Sequence, residues 1–402
     1  MARKLISIIG KVPKDKDSHD YREARYQLDG ETFTTSYFGL ALDQHLHSDH
    51  LIILGTSGSM WENLAQKLDL DLELAIALEA SVKNNAVNKE QLEILSVAAT
   101  DKLGKPVTCD LIPYGRSEAE QIATISQVLG YYYPGDCAIL DVTHGLRHLP
   151  MLIQQIANLL PTLRHSEIEG IYYGMYDPET ETAPVIRMDG LQHISAWQNA
   201  LAAYDYSGNS AALSPILAQI GISKDVINLL EQASFFEQIH NLYQYRNKIK
   251  EFLTAVKKEA GNNKNTNIDL LKFILPTLEE RLYLDNTRSI WQQRFQLAEQ
   301  ALDNKDYLRA ALYGFEAVFE RILEHEHCDD KDYTRRKEIV DTYIARKSTN
   351  EIEKKYKDLQ HIRNVLAHGE KGNNHIQQIL NSEERLNNEI RNCLKKLKTL
   401  PL

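Results

Sequence analysis

A short pattern near the C-terminus combines a guanidinium, an amide and an imidazole: Arg363, Asn364 and His368. A histidine acts as a general acid or base near neutral pH, and a guanidinium binds a phosphate as negative charge builds on it. Such a pair needs no metal ion to cleave RNA when the 2′-hydroxyl of the RNA is the nucleophile. The products would carry a 2′,3′-cyclic phosphate and a 5′-hydroxyl, and DNA would resist cleavage. The alternative is a solvated helix end, where the histidine only complements the helix dipole.

The pattern lies at the end of a predicted helix, which Gly369 is expected to stop. Asn364 and His368 are four residues apart and share a helix face, whereas Arg363 and His368 are roughly 140° apart. Only the long arginine side chain therefore lets both groups reach one phosphate. The apolar face of this helix repeats at three and four residues, at Ile352, Tyr356, Leu359, Ile362 and Leu366.

Short apolar runs alternate with amphipathic segments in the N-terminal half, at residues 5–9, 51–54, 138–142 and 171–175. Buried strands alternating with helices predict a parallel sheet, and hence a Rossmann-like α/β domain. Helices are expected at 61–68, 119–129 and 146–160. From about residue 196 the strand-like runs disappear, which predicts an all-α C-terminal part. Residues 257–267, polar and rich in Asn, are interpreted as a loop or weak linker.

Three segments rich in glycine and hydroxyl side chains are expected at the carboxyl ends of these strands. Ligands bind at that edge of open α/β sheets, where backbone amides at helix N-termini can approach phosphates. Ordinary strand-to-helix turns are the alternative. The segments contain Gly10, Lys11, Thr56, Ser57, Gly58, Ser59, Thr143, His144, Gly145 and Arg147.

Length and composition indicate a soluble protein of two or three domains, without a membrane-spanning segment or a signal peptide. The four scattered cysteines suggest neither a disulfide framework nor a zinc ribbon and fit a reducing cytoplasm. The net charge of -10 divides into -12 for residues 1–280 and +2 for 281–402. Any contact with RNA is therefore expected from a local site, most readily in the C-terminal part.

The Arg363 pattern, together with the preceding helix at 298–323, resembles the HEPN superfamily of ribonucleases over about residues 285–402. The resemblance implies a dimeric active site in which two copies of the pattern face each other. Arg363 and His368 would be catalytic and Asn364 would orient them. No metal and no cofactor would be needed, and the substrate would be single-stranded RNA rather than DNA.

The N-terminal half resembles the CARF domain of CRISPR-associated proteins over about residues 1–190. The resemblance rests on Asp-x-Thr-His-Gly-x-Arg at 141–147, on residues 55–61 and on the run at 171–175. It implies an ancillary ribonuclease of type III CRISPR systems, activated by cyclic oligoadenylate. The three glycine-rich segments would line a ligand cleft across the two-fold axis of a homodimer or higher oligomer. Cyclic tetra-adenylate is favoured over the hexa form, and Lys11 and His144 are candidates for slow degradation of the activator.

We therefore predict a CARF sensor domain at 1–190, a helical connecting region at 191–284 and a HEPN ribonuclease domain at 285–402. The main alternative is a non-catalytic sensor or RNA-binding protein, for which His368 would be dispensable.

A zinc-dependent hydrolase is disfavoured, because the histidines of the segment 45–50 directly precede a strand that would direct them to opposite faces. The segment 325–328 is interpreted as a solvated loop, so no metal is predicted. A dinucleotide-dependent dehydrogenase is excluded, because no Gly-x-Gly-x-x-Gly follows the first strand.

Overall fold

The computed structural model describes residues 2–14, 20–262, 267–282, 288–328, 332–369 and 371–401. They divide into two compact units, 1–195 and 196–402. The first is an α/β unit and the second is helical, as the sequence predicts. The boundaries predicted at 190/191 and 284/285 stay predictions.

The strands of the first unit form a mixed eight-stranded sheet in the order β3-β2-β8-β7-β6-β1-β4-β5. The five strands from β7 to β5 are parallel, as expected, whereas β8 runs antiparallel to β7 and β3 antiparallel to β2. The strands are β1 (Arg3–Ile9), β2 (Ala24–Leu28), β3 (Glu31–Thr35), β4 (His50–Gly55), β5 (Val107–Leu111), β6 (Cys137–Asp141), β7 (Glu167–Gly174) and β8 (Thr182–Arg187).

Helices cover both faces of this sheet. In β1, Leu5 and Ile9 pack into one core while Ile6 and Ile8 pack into the other, which explains why the strand is an unbroken apolar run. The helices are α1 (Phe38–Leu46), α2 (Trp61–Lys67), α3 (Leu72–Lys83), α4 (Lys89–Leu103), α5 (Glu118–Gly130), α6 (His148–Arg164) and, leading into the second unit, α7 (Asp189–Ser207).

Among the five parallel strands, the chain passes from β1 to β4 and β5 on one side, and then to β6 and β7 on the other. The strand order therefore reverses between β1 and β6. A crevice forms at the carboxyl ends of the strands at such a point, and it is the usual ligand position in open α/β sheets. Gly10 follows β1 here, and the segment 142–147 follows β6.

The helices of the second unit share one hydrophobic core, which runs from Trp197 to Leu400. They follow a short 3-10 helix (Ser210–Leu213): α8 (Ser214–Gln219), α9 (Lys224–Gln238), α10 (Leu242–Asn262), α11 (Asn267–Leu282), α12 (Ile290–Asp303), α13 (Tyr307–His325), α14 (Tyr333–Lys347), α15 (Asn350–His368), α16 (Asn374–Leu380) and α17 (Glu383–Leu397).

The prediction of a loop at 257–267 is wrong for residues 257–262 and for residue 267, which are helical. Helix α10 continues to Asn262 and α11 begins at Asn267, while residues 263–266 lie outside the described part. Leu253, Val256 and Ala260 are buried and extend the apolar face of α10. Their burial outweighs the unfavourable helix propensity of glycine and asparagine, which costs only about 1 kcal/mol per residue.

Candidate functional site

Two loops meet at the carboxyl edge of the sheet with almost no space between them. A Cβ atom on Gly10 would lie 2.4 Å from the backbone nitrogen of Gly145, and Gly145 has a φ of 100°. The Gly10 carbonyl accepts a hydrogen bond from the Met60 amide at 2.9 Å. Residues 10, 145 and 60 thus bring together the three segments that the sequence singled out.

Asp141 organises the interior side of this edge. Its buried carboxylate accepts hydrogen bonds from the Ser7 hydroxyl at 2.6 Å and from the Thr143 amide at 2.9 Å. Burial raises the pKa of Asp141, while these two hydrogen bonds partly offset the rise. The Thr143 hydroxyl accepts from the Gly174 amide at 2.9 Å and so joins the loop to β7. Part of the Asp-x-Thr-His-Gly-x-Arg pattern therefore holds the loop itself.

His144 points into the protein. It is 7% exposed, and its Nε2 accepts a hydrogen bond from the Phe38 amide at the start of α1. Burial lowers the pKa of His144 to about 4, which keeps the ring neutral. With its Nε2 lone pair engaged, this imidazole positions α1 in the observed arrangement. Its contact with a ligand stays a prediction.

The loop after β4 is shaped by its own polar groups. Thr56 and Ser59 are buried, and the Thr56 amide donates to the Ser59 hydroxyl at 3.0 Å. The Trp61 indole donates to the Thr56 carbonyl at 2.9 Å. A Cβ on Gly58 would lie 2.1 Å from the side-chain oxygen of Asn85, so a larger residue at position 58 would push the Asn85 side chain away.

Only part of the predicted ligand-binding set is accessible to solvent. Lys11 and Arg147 are exposed and Ser57 is half-buried, while Gly145 exposes its backbone. These residues supply two cations, a hydroxyl and a glycine loop at the point where the strand order reverses. Such a combination suits a phosphate-bearing ligand.

Sequence reasoning missed the residues that follow β5 at the same edge. The Tyr114 hydroxyl lies 3.4 Å from the Ser57 hydroxyl, and the Arg116 guanidinium lies 4.6 Å from the centre of the Tyr114 ring. The His148 Nε2 lies 2.7 Å from the Tyr114 carbonyl oxygen. A sequence pattern could have located these residues: the alternating run of β5 is followed by Pro113 and Gly115, which is typical of a strand and a turn.

In the second unit, α15 ends as the sequence predicts. Thr349 caps its first turn, and Gly369 adopts the left-handed conformation directly after His368. The predicted apolar face is buried at Ile352, Tyr356, Leu359 and Ile362, and Leu366 is partly buried against the same core. His368, the last helical residue, is exposed.

Arg363 is held by neighbours on two helices. Its guanidinium lies 4.2 Å from the centre of the Phe315 ring on α13, and one nitrogen is 4.0 Å from a carboxylate oxygen of Glu316. Its Nε and a terminal nitrogen donate to the side-chain oxygen of Asn364 at 3.1 and 2.7 Å. The other Glu316 oxygen lies 3.5 Å from Arg294 on α12.

This arrangement leaves a positioned cation five residues before an exposed imidazole at the end of the same helix. The Arg363 side chain is 17% exposed, so part of the guanidinium is open to solvent. Asn364 accepts from only two of the five N–H groups of the guanidinium, so others remain as donors to a phosphate. The geometry therefore suits a guanidinium that binds phosphate and an imidazole that transfers a proton.

The comparisons with known proteins address the first unit most directly. Residues 4–178 match the family model described as the CARF domain of the CRISPR system endoribonuclease Csx1. The first unit is a CARF domain. The chain is also 24% identical, over 410 residues, to the CRISPR-associated protein MJ1674 of Methanocaldococcus jannaschii. That alignment covers 92% of this chain and 62% of MJ1674, so the chain spans less than two thirds of the relative.

The histidines between residues 45 and 50 of the CARF domain serve separate neighbours. His45 lies in the last turn of α1 with its ring nitrogens 3.1 Å from Asp29 and Glu31, and His50 lies 2.8 Å from the Thr108 hydroxyl. His47 is the left-handed residue that closes the helix. Within the described ranges, no three His, Cys, Asp or Glu side chains are arranged to hold a metal ion.

The segment 325–328 lies at the end of α13, where His325 is the last helical residue.

Among the residues that the structure describes, every helix is too short or too polar to cross a lipid bilayer.

Proposed function

We propose that this chain is an ancillary endoribonuclease of a type III CRISPR system. Cyclic oligoadenylate, most readily the tetra-adenylate, binds at the carboxyl edge of the CARF domain. Binding activates cleavage of single-stranded RNA by Arg363 and His368 in a HEPN-like helical unit. The chain acts as a homodimer or higher homo-oligomer and needs no metal or cofactor. The observation that carries the proposal is Arg363, held by Phe315, Glu316 and Asn364 five residues before the exposed His368 on α15, in a chain whose first unit is a CARF domain.

The proposed reaction is a transesterification. His368 takes the proton of the RNA 2′-hydroxyl, the 2′-oxygen attacks the adjacent phosphorus, and the bond from phosphorus to the 5′-oxygen breaks. A second copy of His368 across the dimer returns a proton to the leaving oxygen. The Arg363 guanidinium binds the phosphate oxygens as their charge increases. The products are a 2′,3′-cyclic phosphate and a 5′-hydroxyl.

Support for the activator site comes from the carboxyl edge of the sheet where the strand order reverses between β1 and β6. Exposed Lys11 and Arg147 flank backbone amides of the Gly145 loop, and Ser57, Tyr114 and Arg116 continue the same edge. A ring of identical nucleotides has the symmetry of a two-fold dimer axis. Activation requires that the ligand bind the active arrangement more tightly than the inactive one, because equal affinity shifts no population.

The proposal is tested by cleavage of a fluorescently quenched RNA in EDTA, with cyclic tetra-adenylate, cyclic hexa-adenylate or neither. Wild type and His368→Ala are compared. Cleavage that needs one cyclic ligand, persists in EDTA and is lost in His368→Ala supports the proposal. Cleavage that needs zinc overturns the metal-independent mechanism. Silence under every condition, with the ligand bound, favours the non-catalytic sensor.

A further inference from the structure

Helix α13 carries the same dipeptide twice, Phe315-Glu316 and Phe319-Glu320, and each copy holds an arginine. Arg363 lies over Phe315 at 4.2 Å and 4.0 Å from Glu316. Arg336 of α14 lies over Phe319 at 5.5 Å and 3.2 Å from Glu320. Residues four apart share a helix face, about 5–6 Å apart at Cβ. The two arginines are therefore held on the same face of α13, one turn apart.

Each phenylalanine also stacks on a tyrosine from the helix that supplies its arginine. Tyr356 of α15 stacks on Phe315 with ring centres 5.4 Å apart, and Tyr333 of α14 stacks on Phe319 at 6.0 Å. The two tyrosines differ in exposure, because Tyr356 is 2% exposed and Tyr333 is 54% exposed. Tyr333 therefore presents an exposed aromatic ring about one helical turn before Arg336, whose guanidinium is held by Phe319 and Glu320.

A cavity of about 530 Å³ adjoins Arg336. Its volume falls within the range of ligand-binding pockets, about 300–1,000 Å³. Arginines outnumber carboxylates in its lining, which includes Arg246, Arg288, Trp291, Glu320 and Glu324. Arg336 presents to this cavity a planar set of donors suited to phosphate.

We propose that Tyr333 and Arg336 form a second nucleotide-binding site for the RNA substrate, next to the phosphate bound by Arg363. The Arg336 guanidinium binds the neighbouring phosphate, and the exposed face of Tyr333 stacks on the base. The one-turn spacing on α13 places the two arginines a single nucleotide step apart. Every base has a face that can stack, so the site contributes affinity and register with little base selectivity. The inference rests on the proposed ribonuclease function.

The first test measures RNA binding in a His368→Ala background, so that cleavage plays no part. Fluorescence anisotropy follows a labelled single-stranded RNA over a series of salt concentrations, with and without cyclic tetra-adenylate. Arg336→Gln is expected to weaken binding and to reduce the slope of log K against log salt by about 0.7, the value for one phosphate contact on a single strand. Tyr333→Leu is expected to weaken binding roughly five- to a hundred-fold, whereas Tyr333→Phe retains the stacking ring and the affinity.

Arg346→Gln is the matched control, because Arg346 is an exposed arginine near the other end of α14 and does not line the cavity. Equal effects of Arg336→Gln and Arg346→Gln on affinity and slope would overturn the site. Thermal unfolding checks each variant. Should Arg336→Gln destabilise the fold, Arg336→Lys keeps the charge and loses the planar fork. It is expected to retain the salt slope and to lose affinity, and wild-type affinity in Arg336→Lys would contradict a phosphate-binding fork.

A cleavage assay separates this inference from the proposed function. In otherwise wild-type protein, Arg336→Gln is expected to raise KM and leave kcat nearly unchanged, and only for substrates long enough to reach the second site. Activity that survives Arg363→Ala overturns the proposed function. Loss of activity in Arg363→Ala, with no effect of Arg336→Gln or Tyr333→Leu on KM or binding, overturns only the second site.

Discussion

The backbone nitrogen of Gly145 lies 2.4 Å from where a Cβ atom on Gly10 would stand. No side chain fits between the end of β1 and the loop after β6, so the two segments approach as bare backbone. This contact sits where the strand order reverses, beside the exposed Lys11 and Arg147. The shape of the candidate activator site therefore depends on the absence of a side chain at Gly10.

We therefore expect Gly10→Ala to displace the loop around Gly145. The added methyl group meets backbone, which cannot move aside like a flexible side chain, and the free energy of unfolding should fall by about 1–3 kcal/mol. Affinity for cyclic tetra-adenylate should fall as well. Urea unfolding and titration calorimetry measure the two effects. Gly130→Ala is the control, because nothing lies within 4 Å of a Cβ at that position. Unchanged ligand affinity in Gly10→Ala would argue against this edge as the activator site.

Substitution of Arg363 or His368 by alanine should abolish RNA cleavage and leave activator affinity intact. Loss of a general acid or base typically lowers a rate about 10²- to 10⁴-fold. Single-turnover cleavage measures the loss, and calorimetry with cyclic tetra-adenylate measures binding. Arg363→Lys should also be poorly active, because an ammonium lacks the planar fork. Weaker activator binding in these variants would contradict separate sensing and cleavage sites.

Asn364 has a role that two substitutions can separate. Its side-chain oxygen accepts two hydrogen bonds from Arg363. Asn364→Ala should leave the guanidinium less well oriented and lower kcat by roughly tenfold, the cost of about one hydrogen bond to a charged group. Asn364→Asp should lower activity further and raise KM, because a carboxylate would compete with the RNA phosphate for Arg363. Activity of Asn364→Asp equal to that of Asn364→Ala would show that this competition does not matter.

Glu237 on α9 predicts a pH dependence of stability. Burial raises its pKa to about 7, although Arg309 partly offsets the rise. Because the folded state binds this proton more tightly than the unfolded state, the stabilisation is complete below the ordinary glutamate pKa. It is lost as the pH rises towards 7. The free energy of unfolding of Glu237→Gln, relative to that of wild type, should therefore increase by about 1–3 kcal/mol as the pH is raised from 5 to 8.

Urea unfolding at the two pH values measures this gain. Glu231→Gln, at an exposed position of the same helix, should show no such pH dependence. An equal response of the two variants would mean that Glu237 ionises in the folded state as freely as an exposed carboxyl group.

The sequence identified the elements whose own residues carry a strong pattern. The unbroken apolar runs of β1, β4, β6 and β7 predict buried strands because both faces of a central strand are covered. The strands β2 and β3 went unnoticed, since each spans only five residues: β2 alternates between buried and exposed side chains, and the edge strand β3 has no fully buried side chain. The helical end of α10 was missed because its local composition disfavours a helix while burial of Ala260 favours one.

By itself, the sequence determined that Arg363, Asn364 and His368 share a helix end, and that three loops follow strands of one sheet. Both conclusions need only the periodicity of neighbouring residues. Tertiary structure alone decided that Phe315 and Glu316 hold Arg363, that His144 faces inward and that Tyr114 joins the CARF edge. These contacts join residues tens of positions apart, and their formation depends on how whole helices and strands pack, which no local pattern encodes.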